Sequence, residues 1–414
     1  MFNKNDKERL RALAERYAEA ALGAGMRERE ARAKKINGLG VDRPLVNVFE
    51  VPWGELDGSP DLTPHCVDER ARGLEYRLLQ VLYQKEHFMA DYTLPPYFSV
   101  SVAVQNTGFG LSVDEDTIDS ISGSSIRAHA YYDQIPDIES LQKIQMPTPS
   151  LDGPQNAANL EAAHEVFDGI LPIRQGGVSL YSAMWDIIPV YHSVQKTLDD
   201  LVDDPDYSHA AADAFTRYFE RLHAEYERLG VLEAEPYYLH CTPALTDELP
   251  AADFDGEHVR QKDVWARGMA QIFAVVSPQM HDEFDLQYMQ RLFDPCGLSY
   301  YGCCEPLDRK IGLLRKRFKN LRKISITPWA DPERAASEIG GDYVFSYKPN
   351  PAFVAGGCDI DAVAAELRRV LEACRRHNTP CEITLKDIST VSGDVRNLTA
   401  WVGAANRAID EFFS

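Results

Sequence analysis

The chain alternates between short apolar runs and longer stretches with an apolar residue at every third or fourth position. Eight short runs predict strands, at residues 44–50, 97–105, 171–177, 237–242, 298–303, 323–329, 343–348 and 382–388. They are rich in aromatic and β-branched residues and end in Gly, Pro or polar groups. The helical period is clearest in 209–228, where Ala212, Phe215, Tyr218, Phe219, Leu222 and Tyr226 recur at three and four. It returns in 278–292 and in 361–376. The last of these opens on Asp361 and closes on Arg375 and Arg376, matching the helix dipole.

Strands that alternate with helices predict a parallel sheet. Eight such units favour a closed (β/α)8 barrel of the TIM type. An open doubly wound sheet is the competing α/β arrangement, but no Gly-x-Gly-x-x-Gly turn follows the first strand. Residues 1–40 read as a helical prefix packed on the barrel. Residues 41–414 read as the barrel, with a helical insertion at 61–95 after the first strand that would cap its mouth.

Composition narrows the function. The 414 residues carry 43 basic and 64 acidic side chains, a formal charge of −21. Such a surface repels phosphate backbones and anionic lipid, so neither nucleic acid nor membrane is expected as a partner. No signal-like or membrane-spanning apolar run is found, and a cytoplasmic protein, monomer or homodimer, is expected. The eight cysteines form no Cys-x-x-Cys pair and are expected to be reduced.

In a barrel, chemistry sits at the C-terminal ends of the strands. That rule selects Glu50 and Trp53 after the first strand, Asn106 after the second and His240 after the fourth. It adds Tyr301, Cys303, Cys304 and Glu305 after the fifth, Lys348 and Asn350 after the seventh, and Lys386 and Asp387 after the eighth. By strand parity Ser299, Tyr301 and Cys303 share a face, and Cys304 points the other way. A thiolate there, ahead of a helix N-terminus, would have a lowered pKa and could act as a nucleophile or metal ligand. Two small buried packing thiols are the other reading. Glu382 inside a strand needs a partner, and Lys386 lies on its face.

Seven segments carry a family resemblance. They are RPLVNVFEVPWGEL, HCTPALTDELP, VSPQMHDEFD, YYGCCEPLDRKIGLLRK, KISITPWAD, SYKPNPAF and EITLKDIST, in this order. Together they resemble the uroporphyrinogen decarboxylase superfamily, in its bacterial branch related to corrinoid-dependent methyltransferases. The resemblance runs over residues 27–412 and implies the TIM-type barrel. The Arg-Gln-Ala-Gly-Arg motif of the true decarboxylases is replaced by Glu50-Val51-Pro52-Trp53-Gly54, which argues against a porphyrinogen substrate. Zinc-dependent members place His-x-Cys after strand five and Cys after strand eight. Here those places read Tyr301-Gly302-Cys303 and Asp387.

The resemblance therefore implies a corrinoid-linked methyltransferase. It would move a methyl group between a small O- or N-methylated substrate and a corrinoid (cobalamin) carried by a partner protein. Cys303 and Asp387, with Glu305, would hold a zinc ion. Tyr301 or the Lys386-Asp387 pair would act as the acid, and Glu50, Trp53, Asn106, His240, Lys348 and Asn350 would line the substrate site. A decarboxylase of a non-porphyrin acid and a non-catalytic binding barrel are the alternatives.

Overall fold

The computed structural model describes residues 1–56, 58–119 and 127–413. Its centre is a parallel sheet of seven strands: β1 (Val46–Val48), β2 (Leu180–Ser182), β3 (Trp265–Gly268), β4 (Leu298–Tyr301), β5 (Leu321–Ile326), β6 (Val344–Tyr347) and β7 (Cys381–Leu385). The strand order is β1-β7-β6-β5-β4-β3-β2. From β2 to β7 each strand pairs with its successor in sequence, and β7 returns to β1. This is the cyclic order of a singly wound barrel. Among the described residues no ladder joins β1 to β2, so the observed sheet is seven-stranded and hydrogen-bonded closure is absent.

Four sequence expectations change here. The predicted second and third strands, Phe98–Ser101 and Ile173–Gly176, pair with each other outside the main sheet. The predicted fourth is a short antiparallel turn of Tyr238–Leu239 on Thr242–Pro243. Two of the sheet strands, β2 and β3, lie where none was predicted. A further antiparallel pair, Glu115–Asp119 with Arg127–Tyr131, was also not foreseen.

Segment 238–245 is held against the main sheet by side chains of the sheet strands and their ends. The Lys323 amine donates to the Pro243 carbonyl at 2.5 Å, and Lys348 to the Cys241 carbonyl at 2.8 Å. The Trp265 indole donates to the Ala244 carbonyl at 3.0 Å. Backbone groups that would pair in a ladder thus find side-chain partners.

The helices form where the apolar period predicts them. In Pro205–Arg228 the buried face carries Ala212, Phe215, Tyr218, Phe219 and Leu222. Ile360–Arg376 is capped by the Asp359 side chain and buries Val363, Leu367, Val370, Leu371 and Cys374. Near the chain start, Lys4–Leu22 packs on Glu69–His87 from the insertion. Ala33 and Ile36 of the next helix, Ala24–Asn37, meet Leu45 and Val344 at the N-terminal ends of β1 and β6. The second helix thus meets the sheet at its N-terminal edge, opposite the mouth.

Candidate functional site

Three strand ends and the inner segment converge at the mouth. After β1 comes Glu50, after β7 come Lys386 and Asp387, after β4 come Cys303 and Cys304, and 238–245 supplies His240 and Cys241. Glu50, Cys241 and Asp387 all have left-handed backbone, with φ of 52°, 57° and 56°. Such conformations are costly for non-glycine residues and gather at functional sites. Here they turn three polar side chains toward one another.

The side chains form one connected cluster. The Lys386 amine lies 3.1 Å from the Cys303 sulfur and 2.6 Å from the Asp387 carboxylate. The Cys304 sulfur is 3.7 Å from that of Cys303 and 3.2 Å from Asp387 Oδ2. Glu50 accepts the Asp387 backbone N–H at 2.8 Å and pairs with His240 Nε2 at 3.0 Å. Cys241 Sγ is 3.3 Å from the same carboxylate.

Electrostatics split the two neighbouring thiols. The Cys304 S–H donates to Cys303, and His240 and Lys386 add positive charge, so the Cys303 thiol is held well below its usual pKa despite burial. Cys304 keeps the proton and is pushed up. Hydrogen bonds to Cys241, Cys303 and Glu50 raise His240 to about 11. Burial would raise the Glu50 carboxyl, but His240 and Asp387 hold it low. Burial raises Asp387, and Lys386 only partly offsets this. The cluster thus favours a Cys303 thiolate beside the positive charges of His240 and Lys386, while Asp387 is shifted toward its protonated form.

The pKa shift of Cys303 has a different origin from the one expected. The next helix, Ile311–Arg317, begins too far along to act on it. The parity argument also fails at this point. β4 ends at Tyr301 and Gly302 adopts φ 99°, which swings Cys303 to the mouth, and Cys304 joins it. Tyr301 stays on the outer face. It is fully buried, 2.5 Å from Asp285 Oδ2 and 2.6 Å from His281 Nε2, against Phe293 and Phe318.

Other expected site residues are held elsewhere. Glu305 is fully buried and accepts the Ala270 and Cys303 N–H groups at 3.1 and 2.9 Å. Burial raises its pKa to about 7. Each of its oxygens thus accepts a backbone donor, one of them from Cys303 itself. Trp53 packs edge-on to Tyr83. Asn106 donates to the Tyr218 hydroxyl, and Asn350 caps its own turn by accepting from Ala352 N. Lys348 lies beneath the mouth, on Cys241 O and Ser346 Oγ. Glu382 pairs with Lys323 of β5 at 2.8 Å, not with Lys386.

The cluster opens into a cavity of about 500 Å3 lined by Glu50, Tyr181, His240, Arg267, Cys303 and Asp387, with Leu180, Leu239 and Met269 as apolar wall. None of residues 61–95 lines it. Arg267 and Tyr181 come from the unpredicted strands. Ligand atoms of Glu50, His240 and Cys241 all lie within 4.8 Å of one another, close enough to share one ion. Cys303 and Asp387 line the same cavity beside this triad.

A cyclically ordered parallel α/β sheet with a charged, thiol-bearing mouth is the class of protein seen here. No family model and no curated protein matches the chain. Among solved structures, a methyltransferase from Methanosarcina mazei has a similar fold, with a TM-score of 0.51 over 93% of this chain and 99% of that one. Sequence identity is 14%, so the likeness is one of fold. Among the described residues, no helix is long and apolar enough to cross a membrane.

Proposed function

We propose that the chain is a methyltransferase that moves a methyl group from a small O- or N-methylated substrate to a corrinoid on a partner protein. One observation carries the reading: Cys303, held low, and a raised Asp387 carboxyl share one cavity with Glu50 and His240, behind which Cys241 completes a candidate metal triad. The sequence resemblance and the fold shared with the Methanosarcina protein support it.

A methyl ether or amine is a poor electrophile because its leaving atom carries the electrons away. Demethylation therefore needs a proton or a Lewis acid at that atom. Asp387, raised by burial and facing the cavity, supplies the proton, and Lys386 fixes its carboxylate at 2.6 Å. His240 and Glu50 orient each other at the rim. The carboxylate, imidazole and thiol donors of Glu50, His240 and Cys241 are a set that suits zinc. Bound there, the metal would polarise the substrate heteroatom. The apolar wall of Leu180, Leu239 and Met269 excludes water from the leaving atom.

The test is anaerobic incubation with Co(I) cobalamin and a panel of methyl ethers and methylamines. The expected result is methylcobalamin absorbance with at least one donor. Failure with every donor, together with carbon dioxide release from an organic acid, would favour the lyase.

A further inference from the structure

Arg267, on β3, lines the mouth cavity, and no counter-ion pairs with it among the described residues. It is 5% exposed, and its guanidinium stacks 4.7 Å above the ring of Tyr181. Nη2 reaches the Met269 sulfur at 3.3 Å, a weak acceptor. Nε is buried with no hydrogen-bond partner among the described residues. A buried guanidinium left this way is costly unless something binds it.

The acids around it are already engaged. Asp186 accepts the backbone and side-chain amides of Gln271 at 2.9 and 3.2 Å. Glu305 accepts two backbone N–H groups, Glu50 pairs with His240, and Asp387 pairs with Lys386. Lys386 and His240 attend the Cys303 thiolate. Among the described residues Arg267 is thus a mouth cation without an acidic partner, and it lines the 500 Å3 cavity.

We infer that Arg267 binds the carboxylate of a small organic acid, so that the methyl donor of this site is a methylated carboxylic acid. The identity of the donor rests on the methyl-transfer reading, whereas the carboxylate site does not. A guanidinium presents a flat fork that matches a carboxylate. Tyr181 holds the fork in plane from one side, and Leu180, Leu239 and Met269 receive the carbon frame. The acid would lie with its carboxylate on Arg267 and its far end toward Asp387 and Cys303.

Calorimetric titration of the full chain tests this, using 4-methoxybenzoate and methoxyacetate against their neutral amides. At least one acid should bind about tenfold or more tighter than its amide. Arg267→Gln should abolish that preference and leave the melting temperature unchanged or higher, because it removes an unpaired buried charge. Tyr181→Leu, at a half-exposed position, should weaken the acid several-fold without unfolding the chain. Equal binding of acid and amide, no binding of either acid, or an Arg267→Gln chain that unfolds would each overturn the inference. Acid binding without methyl transfer would leave the Arg267 site standing and remove the transferase reading. Transfer from neutral donors alone would do the reverse.

Discussion

Two charged clusters sit one above the other in this molecule and behave oppositely. In the interior, Lys323 meets Glu382 at 2.8 Å, and Thr242 and Ser346 donate to the same carboxylate. Both charged groups are fully buried, yet their hydrogen bonds are filled by side chains and by the Pro243 carbonyl. At the mouth, Cys303, Lys386, Asp387, Glu50 and His240 are also linked, but they face a cavity and hold three residues in left-handed backbone. The first cluster is closed on itself and anchors segment 238–245 to the sheet. The second is held open and keeps reactive groups in unusual protonation states. Burial of charge alone does not mark a site. A cavity and strained backbone distinguish the mouth.

The largest expected effect breaks the interior pair. Glu382→Ala leaves the Lys323 ammonium uncompensated and should cost about 3–5 kcal/mol in urea unfolding. A loss under about 1 kcal/mol would mean the pair does not hold the fold. Asp387→Asn at the mouth should do the opposite: methyl transfer falls about 100-fold, while stability changes by less than about 1 kcal/mol.

Titration separates the thiols. Because Cys303 is held below its usual pKa, it stays ionised as pH falls. Its alkylation by iodoacetamide should stay nearly level from about pH 9 to pH 5, whereas an ordinary thiol slows about tenfold per unit in that range. A tenfold decline per unit at Cys303 would remove the thiolate. The smallest effect belongs to Tyr301→Phe, which removes a hydrogen bond to Asp285 in the outer layer. It should cost about 1–2 kcal/mol in stability and leave transfer rates intact. Loss of activity without loss of stability would return Tyr301 to the site.

Much of this architecture can be read from the chain, and the misreadings have physical causes. The predicted strands at 298–303, 323–329, 343–348 and 382–388 overlap β4 to β7, which are almost wholly buried and rich in aromatic, aliphatic and β-branched residues despite Arg322, Lys323 and Glu382. β2 and β3 span only Leu180–Ser182 and Trp265–Gly268, with one aromatic and no β-branched residue each. Arg267 was missed with its strand. Segment 237–242 has strand composition, yet its only backbone ladder among the described residues is the short antiparallel turn of Tyr238–Leu239 on Thr242–Pro243.

At the site, Glu50, His240, Cys303, Lys386 and Asp387 follow from the rule that chemistry sits at strand ends. Tyr301 illustrates its limit, since the last residue of a strand still faces one layer or the other. Gly302 at φ 99° resets the alternation one residue later, which no count of positions reveals. The wide turn at Asp282–Leu286 lies in the predicted helix 278–292, and Asp285 within it and His281 just before it both meet Tyr301. That contact could not be inferred from the helical period alone.

The central claim is that the mouth is a preformed metal-bearing transfer site. Elemental analysis of the purified chain tests it most directly. The account predicts about one zinc per chain, lost in His240→Ala together with methyl transfer and retained in Glu382→Gln if that variant folds. Zinc-free protein that still methylates Co(I) cobalamin would contradict it.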